Sequence, residues 1–139
     1  MSLLSRKDLL AIAAVVDVAL NARETPVSAQ ALALRQNLPP RHLEPVLQAL
    51  VREGIFDGVR GPRGGYRLSR ERRRITVSDV LRAAGSVGDA TAVPRSRVLS
   101  DVVLPAIADA ERAFMAALAR LTIDELVRRA EALGERGGR

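Results

Sequence analysis

The sequence predicts a mostly α-helical fold carrying one small β-hairpin, and three observations predict it. Apolar residues recur at helical spacing through most of the first 54 positions. From Ile55 to Ser69 that spacing is lost, and two short apolar runs flank the turn-rich stretch Gly61-Pro62-Arg63-Gly64-Gly65. Further on, Val103, Ile107, Ala110, Phe114, Ala117 and Leu121 follow one another at alternating intervals of four and three, the spacing of a helix-pairing seam.

Each element has its own signals. Ser5 and Asp8, three apart, mark the start of a first helix whose apolar positions are Leu9, Ile12, Ala13, Val16, Ala19 and Leu20. The stretch Asn21–Val27, with Pro26, ends it. Ser28 caps a short second helix running to about Gln36, and Asn37 suits a left-handed C-terminal position. Pro39 and Pro40 belong to the first turn of a third helix, the one place in a helix where proline is tolerated. That helix sets Leu43, Val46, Leu47 and Leu50 on one face and stops at Gly54. Ile55–Val59 and Tyr66–Ser69 read as the strands of the hairpin. Thr76 and Asp79 cap a fourth helix, Val77–Ala84, stopped by Gly85. A hairpin after three helices is the order of a winged helix.

The remaining chain reads as a linker and an appendage. Gly85–Arg97 is small and polar without a period. Pro105 must kink the long helix that follows or lie near its start. The small residues Ala110 and Ala117 on its seam permit close approach of a second helix. Thr122-Ile123-Asp124-Glu125 is a capping box opening a last helix to Leu133. The expected organisation is residues 1–84 as a winged-helix DNA-binding domain and 85–97 as a linker. Residues 98–134 hold the dimerisation and C-terminal helices, and 135–139 form a disordered tail.

Composition narrows the function. The chain has 22 Lys plus Arg against 16 Asp plus Glu, a formal net charge of +6. All of it lies before Gly85, where 14 basic residues face 8 acidic ones, and Ile55–Arg74 alone carries seven arginines against Asp57 and Glu71. A localised positive field suits a polyanion, although charge alone equally describes a solvated arginine-rich face. There is no cysteine and one histidine, His42. Thiolate metal sites and a cysteine nucleophile are therefore excluded. The acids are scattered and no ligand pair has metal spacing, so no catalytic or metal site and no cofactor are expected. Asp17, inside an apolar helix, reads as a structural oddity. No secretory leader opens the chain and no apolar run spans a membrane, so the cytoplasm is the expected compartment.

Nucleic-acid contacts have better candidates. Arg41, His42, Glu44 and Gln48 occupy the polar side of the third helix, where arginine can grip guanine and glutamate can accept from cytosine. For Gln48 a solvated face is the stronger reading. Arg60 and Arg63 flank Gly61-Pro62 on a narrow loop suited to a narrow minor groove, and Gly64-Gly65 lets the backbone come close to nucleic acid. Three aromatics, Phe56, Tyr66 and Phe114, are too few for base-stacking platforms, which favours duplex over single strands.

Several segments together resemble one family. Asp17-Val18-Ala19-Leu20-Asn21, Pro26-Val27-Ser28, Arg35-Gln36, Leu43-Glu44, Arg60-Gly61-Pro62-Arg63-Gly64-Gly65-Tyr66-Arg67-Leu68 and the late Leu121–Leu126 are similar, in order, to the bacterial regulators of the IscR, NsrR and CymR (Rrf) type. The resemblance implies a homodimer paired through the long helix near Val103–Leu121, reading a palindromic operator in duplex DNA, usually to repress transcription. It implies base contacts for Glu44 and Arg60, and phosphate contacts near Ser5–Lys7, Ser28 and Arg41. Two departures stand out. Many members hold an iron–sulfur cluster on three cysteines in the linker after the fourth helix, and Gly85–Arg97 has none. Pro45 replaces a polar residue after the Leu-Glu pair and removes a helix donor. The signal is then a small-molecule or protein effector. The alternative function is a winged helix whose basic hairpin grips an acidic partner protein.

Overall fold

A computed structural model describes residues 3–85 and 96–136. Its first helix, α1 (Arg6–Asn21), begins where Ser5 and Asp8 form a reciprocal capping box: Asp8 N–H donates to Ser5 Oγ at 3.2 Å and Ser5 N–H donates to Asp8 Oδ2 at 3.0 Å. Such a cap contributes about 1 kcal/mol. Ala11, Ala14, Val15 and Val18 are fully buried, and their small side chains let α1 run through the centre of the molecule, touched by later helices and by the hairpin.

The second helix, α2 (Ala29–Gln36), is capped by Ser28, whose Oγ accepts from Ala31 N–H at 3.1 Å, and ends at Asn37 in the left-handed conformation. The oddity expected at Asp17 is a buried carboxylate paired with an exposed arginine instead. Arg35 of α2 donates to both Asp17 oxygens at 2.9 and 2.7 Å, and Asn21 Nδ2 donates to Oδ1 at 3.2 Å. The paired carboxylate holds the Arg35 guanidinium above its ordinary pKa and ties α1 to α2.

The third helix, α3 (Pro40–Arg52), is uninterrupted at Pro45, which sits on its exposed face. Leu43, Val46, Leu47 and Leu50 face the core. Strands β1 (Phe56–Val59) and β2 (Gly65–Leu68) pair antiparallel, with Phe56 opposite Leu68 and Val59 opposite Gly65. Val27 adds a separate rung on the other edge of β2: its N–H donates to Tyr66 O at 3.0 Å and its carbonyl accepts from Tyr66 N–H at 2.8 Å. This rung explains a glycine. A Cβ at Gly65, whose φ is +154°, would lie 2.2 Å from the Val27 carbonyl oxygen, and one at Gly64 would lie 2.2 Å from Val59 O. The glycine pair is thus required by close approach within the chain, not only by the approach to nucleic acid that its sequence implied.

After β2, a 3-10 turn (Arg72–Arg74) leads to α4 (Val77–Ala84), which opens with a Thr76–Asp79 capping box and stops at Gly85 with φ +80°. Ser96 Oγ accepts from Leu99 N–H at 3.0 Å, so the chain is already helical at Arg97, inside the expected linker; the rest of that linker, residues 86–95, lies outside the described residues. A π turn (Leu99–Val103) precedes α5 (Leu104–Leu118). Pro105 accounts for it. Proline has no N–H for the carbonyl four residues back and its ring would strike that carbonyl, so the helix widens by one residue just before it. Pro105 therefore lies near the start of α5, in its first turn, with helical backbone continuing before it.

The last helix, α6 (Ile123–Arg136), corrects the expected organisation. Its N-terminus is stitched to the start of α4 by Val77 N–H to Leu121 O and Ile123 N–H to Ile75 O, both 2.8 Å. Ile123 and Val127 are fully buried in the core that α1 organises, so α6 completes the winged-helix core. Only half of its capping box forms: Thr122 Oγ1 accepts from Glu125 N–H at 3.1 Å, while the Glu125 carboxylate accepts from Arg129. The helix passes Gly134 to reach Arg136, beyond the expected start of a disordered tail, and residues 137–139 lie outside the described residues.

Candidate nucleic-acid interface

The polar side of α3 is a single stripe. Arg41, Glu44, Gln48 and Arg52 recur at helical spacing opposite the buried leucines, and all four are exposed, as is His42. The stripe faces the hairpin. Burial, and then the Glu44 carboxylate, push the Tyr66 phenol above its ordinary pKa. The Tyr66 ring is steadied by Phe56, with centroids 5.6 Å apart.

Two clefts flank the hairpin loop. One, of about 770 Å³, lies between α3 and the hairpin and is lined by Gln48, Arg52, Arg60, Gly64, Gly65 and Tyr66 among others. The second, of about 460 Å³, lies toward α2 and is lined by Ser28, Arg35, Pro62, Arg63 and Gly64 among others. Arg60 and Arg63, read together in the sequence, thus stand on opposite flanks of the loop. Gly61, at φ +110°, starts the turn that separates them, and its carbonyl accepts from Gly64 N–H at 2.9 Å. Lys7, Arg41 and His42 are exposed but line neither cleft.

The seven arginines of Ile55–Arg74 are not equivalent. Arg67 donates to the Glu24 carbonyl, and Arg70, Arg72 and Arg73 pair with Asp79, Asp124 and Glu71. Arg67, Arg70 and Arg72 fasten the base of the hairpin to the body, whereas Arg73 pairs only with its neighbour two residues away and the Arg74 guanidinium has no partner among the described residues. Among the described residues, the Arg60 and Arg63 guanidinium groups at the tip have no hydrogen bond or ion pair. Sequence reasoning set Gln48 aside and omitted Arg52; the intervals of three and four from Arg41 through Arg52 were the signal for both.

The seam residues lie apart from this face. No residue of α5 is buried, and Val98, Val102 and Ile107 are 67, 62 and 52% exposed. Val103 belongs to the π turn, Ala110 and Ala117 are exposed, and Phe114 is half-buried. Leu121 lies three residues past the end of α5, and its carbonyl accepts from Val77 N–H at the start of α4.

Helices α2 and α3, a hairpin beside α3 and unpaired arginines at its tip define a winged-helix transcription regulator. The chain belongs to the Rrf2 family, described as iron-dependent transcriptional regulators, whose family model matches residues 4–129. Over 88 residues it is 39% identical to the HTH-type transcriptional regulator IscR of Xenorhabdus nematophila and 38% identical to that of Vibrio atlanticus, matches spanning 63% of this chain and 54% and 51% of those proteins. It thus spans about half the length of the curated relatives it matches. The structure of T. potens IscR superposes with a TM-score of 0.74 at 28% identity, covering 94% of this chain and 89% of that one. CymR of B. subtilis, titled the global cysteine regulator, gives 0.70 at 25% identity, covering 93% and 98%.

The iron of the family description finds no matching donor set here. The sequence has no cysteine, its one histidine is exposed on α3, and among the described residues no group of three His, Asp or Glu side chains could hold a metal ion. Also among the described residues, no helix is long and apolar enough to cross a membrane.

Proposed function

We propose that this chain is a cytoplasmic, non-catalytic, sequence-specific regulator that binds a palindromic operator in duplex DNA as a homodimer and represses transcription there. The observation that carries the reading is the division among the hairpin arginines: Arg67, Arg70 and Arg72 are tied into the fold, while among the described residues Arg60 and Arg63 at the tip have no partner, and Arg60 lines the cleft beside the exposed stripe of α3. A winged helix sets its recognition helix in the major groove, and an arginine-bearing loop suits a narrow adjacent minor groove. In this reading Arg41, His42 and Glu44 meet base edges, Arg60 enters the minor groove, and Lys7, Ser28 and Arg63 meet phosphates. The dimer forms through the apolar face of α5, because among the described residues no element buries a side chain of that helix. With no cysteine to hold a cluster, the signal is an organic ligand or a partner protein.

Two substitutions separate the roles. Arg60→Ala weakens operator binding by roughly 1–3 kcal/mol and leaves binding to random duplex nearly unchanged, as loss of a base contact does. Lys7→Ala lowers affinity for both duplexes by the same factor. Fluorescence anisotropy on an operator and a scrambled duplex reads both. Equal losses on both duplexes for the two variants would sink the division of roles.

A further inference from the structure

We infer that the cleft between α3 and the hairpin is the seat of a sugar–phosphate backbone, with Arg52 and Gln48 as its phosphate-holding side chains and Tyr66 as a third donor. The inference rests on the DNA-binding reading and deepens it. In a B-form duplex the major groove is about 12 Å wide and the minor groove about 6 Å. Neighbouring grooves are divided by one backbone strand. If the start of α3 occupies one groove and the hairpin tip the next, that strand has to pass between them, through the cleft of about 770 Å³ that separates α3 from the hairpin.

The lining matches such an occupant. Arg52 is 69% exposed, and its one ion pair is a loose 3.9 Å contact with Glu53, so its guanidinium is available to a phosphate. Gln48, one turn earlier on the same stripe, brings an amide donor. Tyr66, across the cleft, brings a phenol donor, and burial and then Glu44 push its pKa further above the ordinary value. Arg60 closes the rim toward the tip. Val51 and Val59, both exposed and both lining the cleft, offer apolar surface to the sugars between phosphates. The cleft is open rather than enclosed by side chains, as a polymer threading through it requires. Arg52, Gln48 and Tyr66 read no base in this seat, so it fixes the position of the duplex and leaves sequence choice to the start of α3 and the loop.

The test uses the full-length protein, a palindromic operator duplex and a scrambled duplex of equal length, titrated across salt concentrations. Arg52→Ala should lower affinity for both duplexes by the same several-fold factor. It should also reduce the slope of log affinity against log salt by about two for a dimer, one phosphate contact per subunit. Gln48→Ala and Tyr66→Phe should lower affinity equally on both duplexes with the slope kept, since they remove no charge. Arg82→Ala, which removes an exposed charge from α4, should change neither. An unchanged slope in Arg52→Ala, a loss confined to the operator, or an equal fall in slope for Arg82→Ala would overturn the seat while leaving DNA binding intact. Wild-type protein that binds neither duplex would overturn the reading beneath it as well.

Discussion

Replacing Phe114 by glutamate should convert the protein from dimers to monomers and abolish tight operator binding. Among the described residues, the structure leaves every side chain of α5 at least partly exposed, from Leu104 to Leu118, and the apolar surface continues back through Val98 and Val102. An exposed apolar stripe of this kind marks an interaction surface, and a second copy offers the same stripe by symmetry. Phe114 is its largest residue. Truncating a buried phenylalanine costs about 3–5 kcal/mol, a charge costs more, and in a dimer both copies change. A monomer retains one reading head, so operator affinity falls to that of a half-site. Sedimentation velocity and circular dichroism check this together: the variant should sediment as a folded monomer. A folded Phe114→Glu dimer would move the interface away from α5.

The second large effect lies in α6. Ile123→Ala should destabilise the fold by about 2–5 kcal/mol, and a fragment ending at residue 84 should not unfold cooperatively. Ile123 and Val127 are fully buried in the same core as Ala11, Val15 and Phe56, so removing α6 uncovers the centre of the domain. Domains of this size are stable by about 5–15 kcal/mol, and the loss takes much of that margin. Thermal unfolding followed at 222 nm measures it. A fragment of residues 1–84 with a sharp transition and the stability of the whole chain would restore the division that the sequence implied.

Why the sequence misled there is physical. Linear reading assigned α6 to an appendage because a linker and a long helix precede it, and periodicity does not reveal which surface a helix returns to. The signal was present in composition: α1 buries four small residues, Ala11, Ala14, Val15 and Val18, along a face broad enough for more than one neighbour. Local features were far more legible. Ser5, Ser28, Thr76, Asn37 and Gly85 all do what their residue types and positions imply, because caps and left-handed stops depend on a few adjacent atoms. The hairpin was legible as well, but the reason for Gly65 was not, since the Val27 carbonyl that excludes a Cβ is far away in sequence. For the candidate interface, the residue types pointed to the right face. The split between structural and unpaired arginines depended on Glu24, Glu71, Asp79 and Asp124, and pairings such as Arg72 with Asp124 leave no trace in sequence spacing.

The most direct test of the central claim is the salt dependence of binding to a palindromic duplex isolated by selection from genomic fragments, compared with a single half-site of equal length. The account predicts one dimer per palindrome and much weaker binding to the half-site. It also predicts a log affinity that falls linearly with log salt, with a slope of several units. Binding that ignores salt, or that is equally tight on palindrome and half-site, would contradict it.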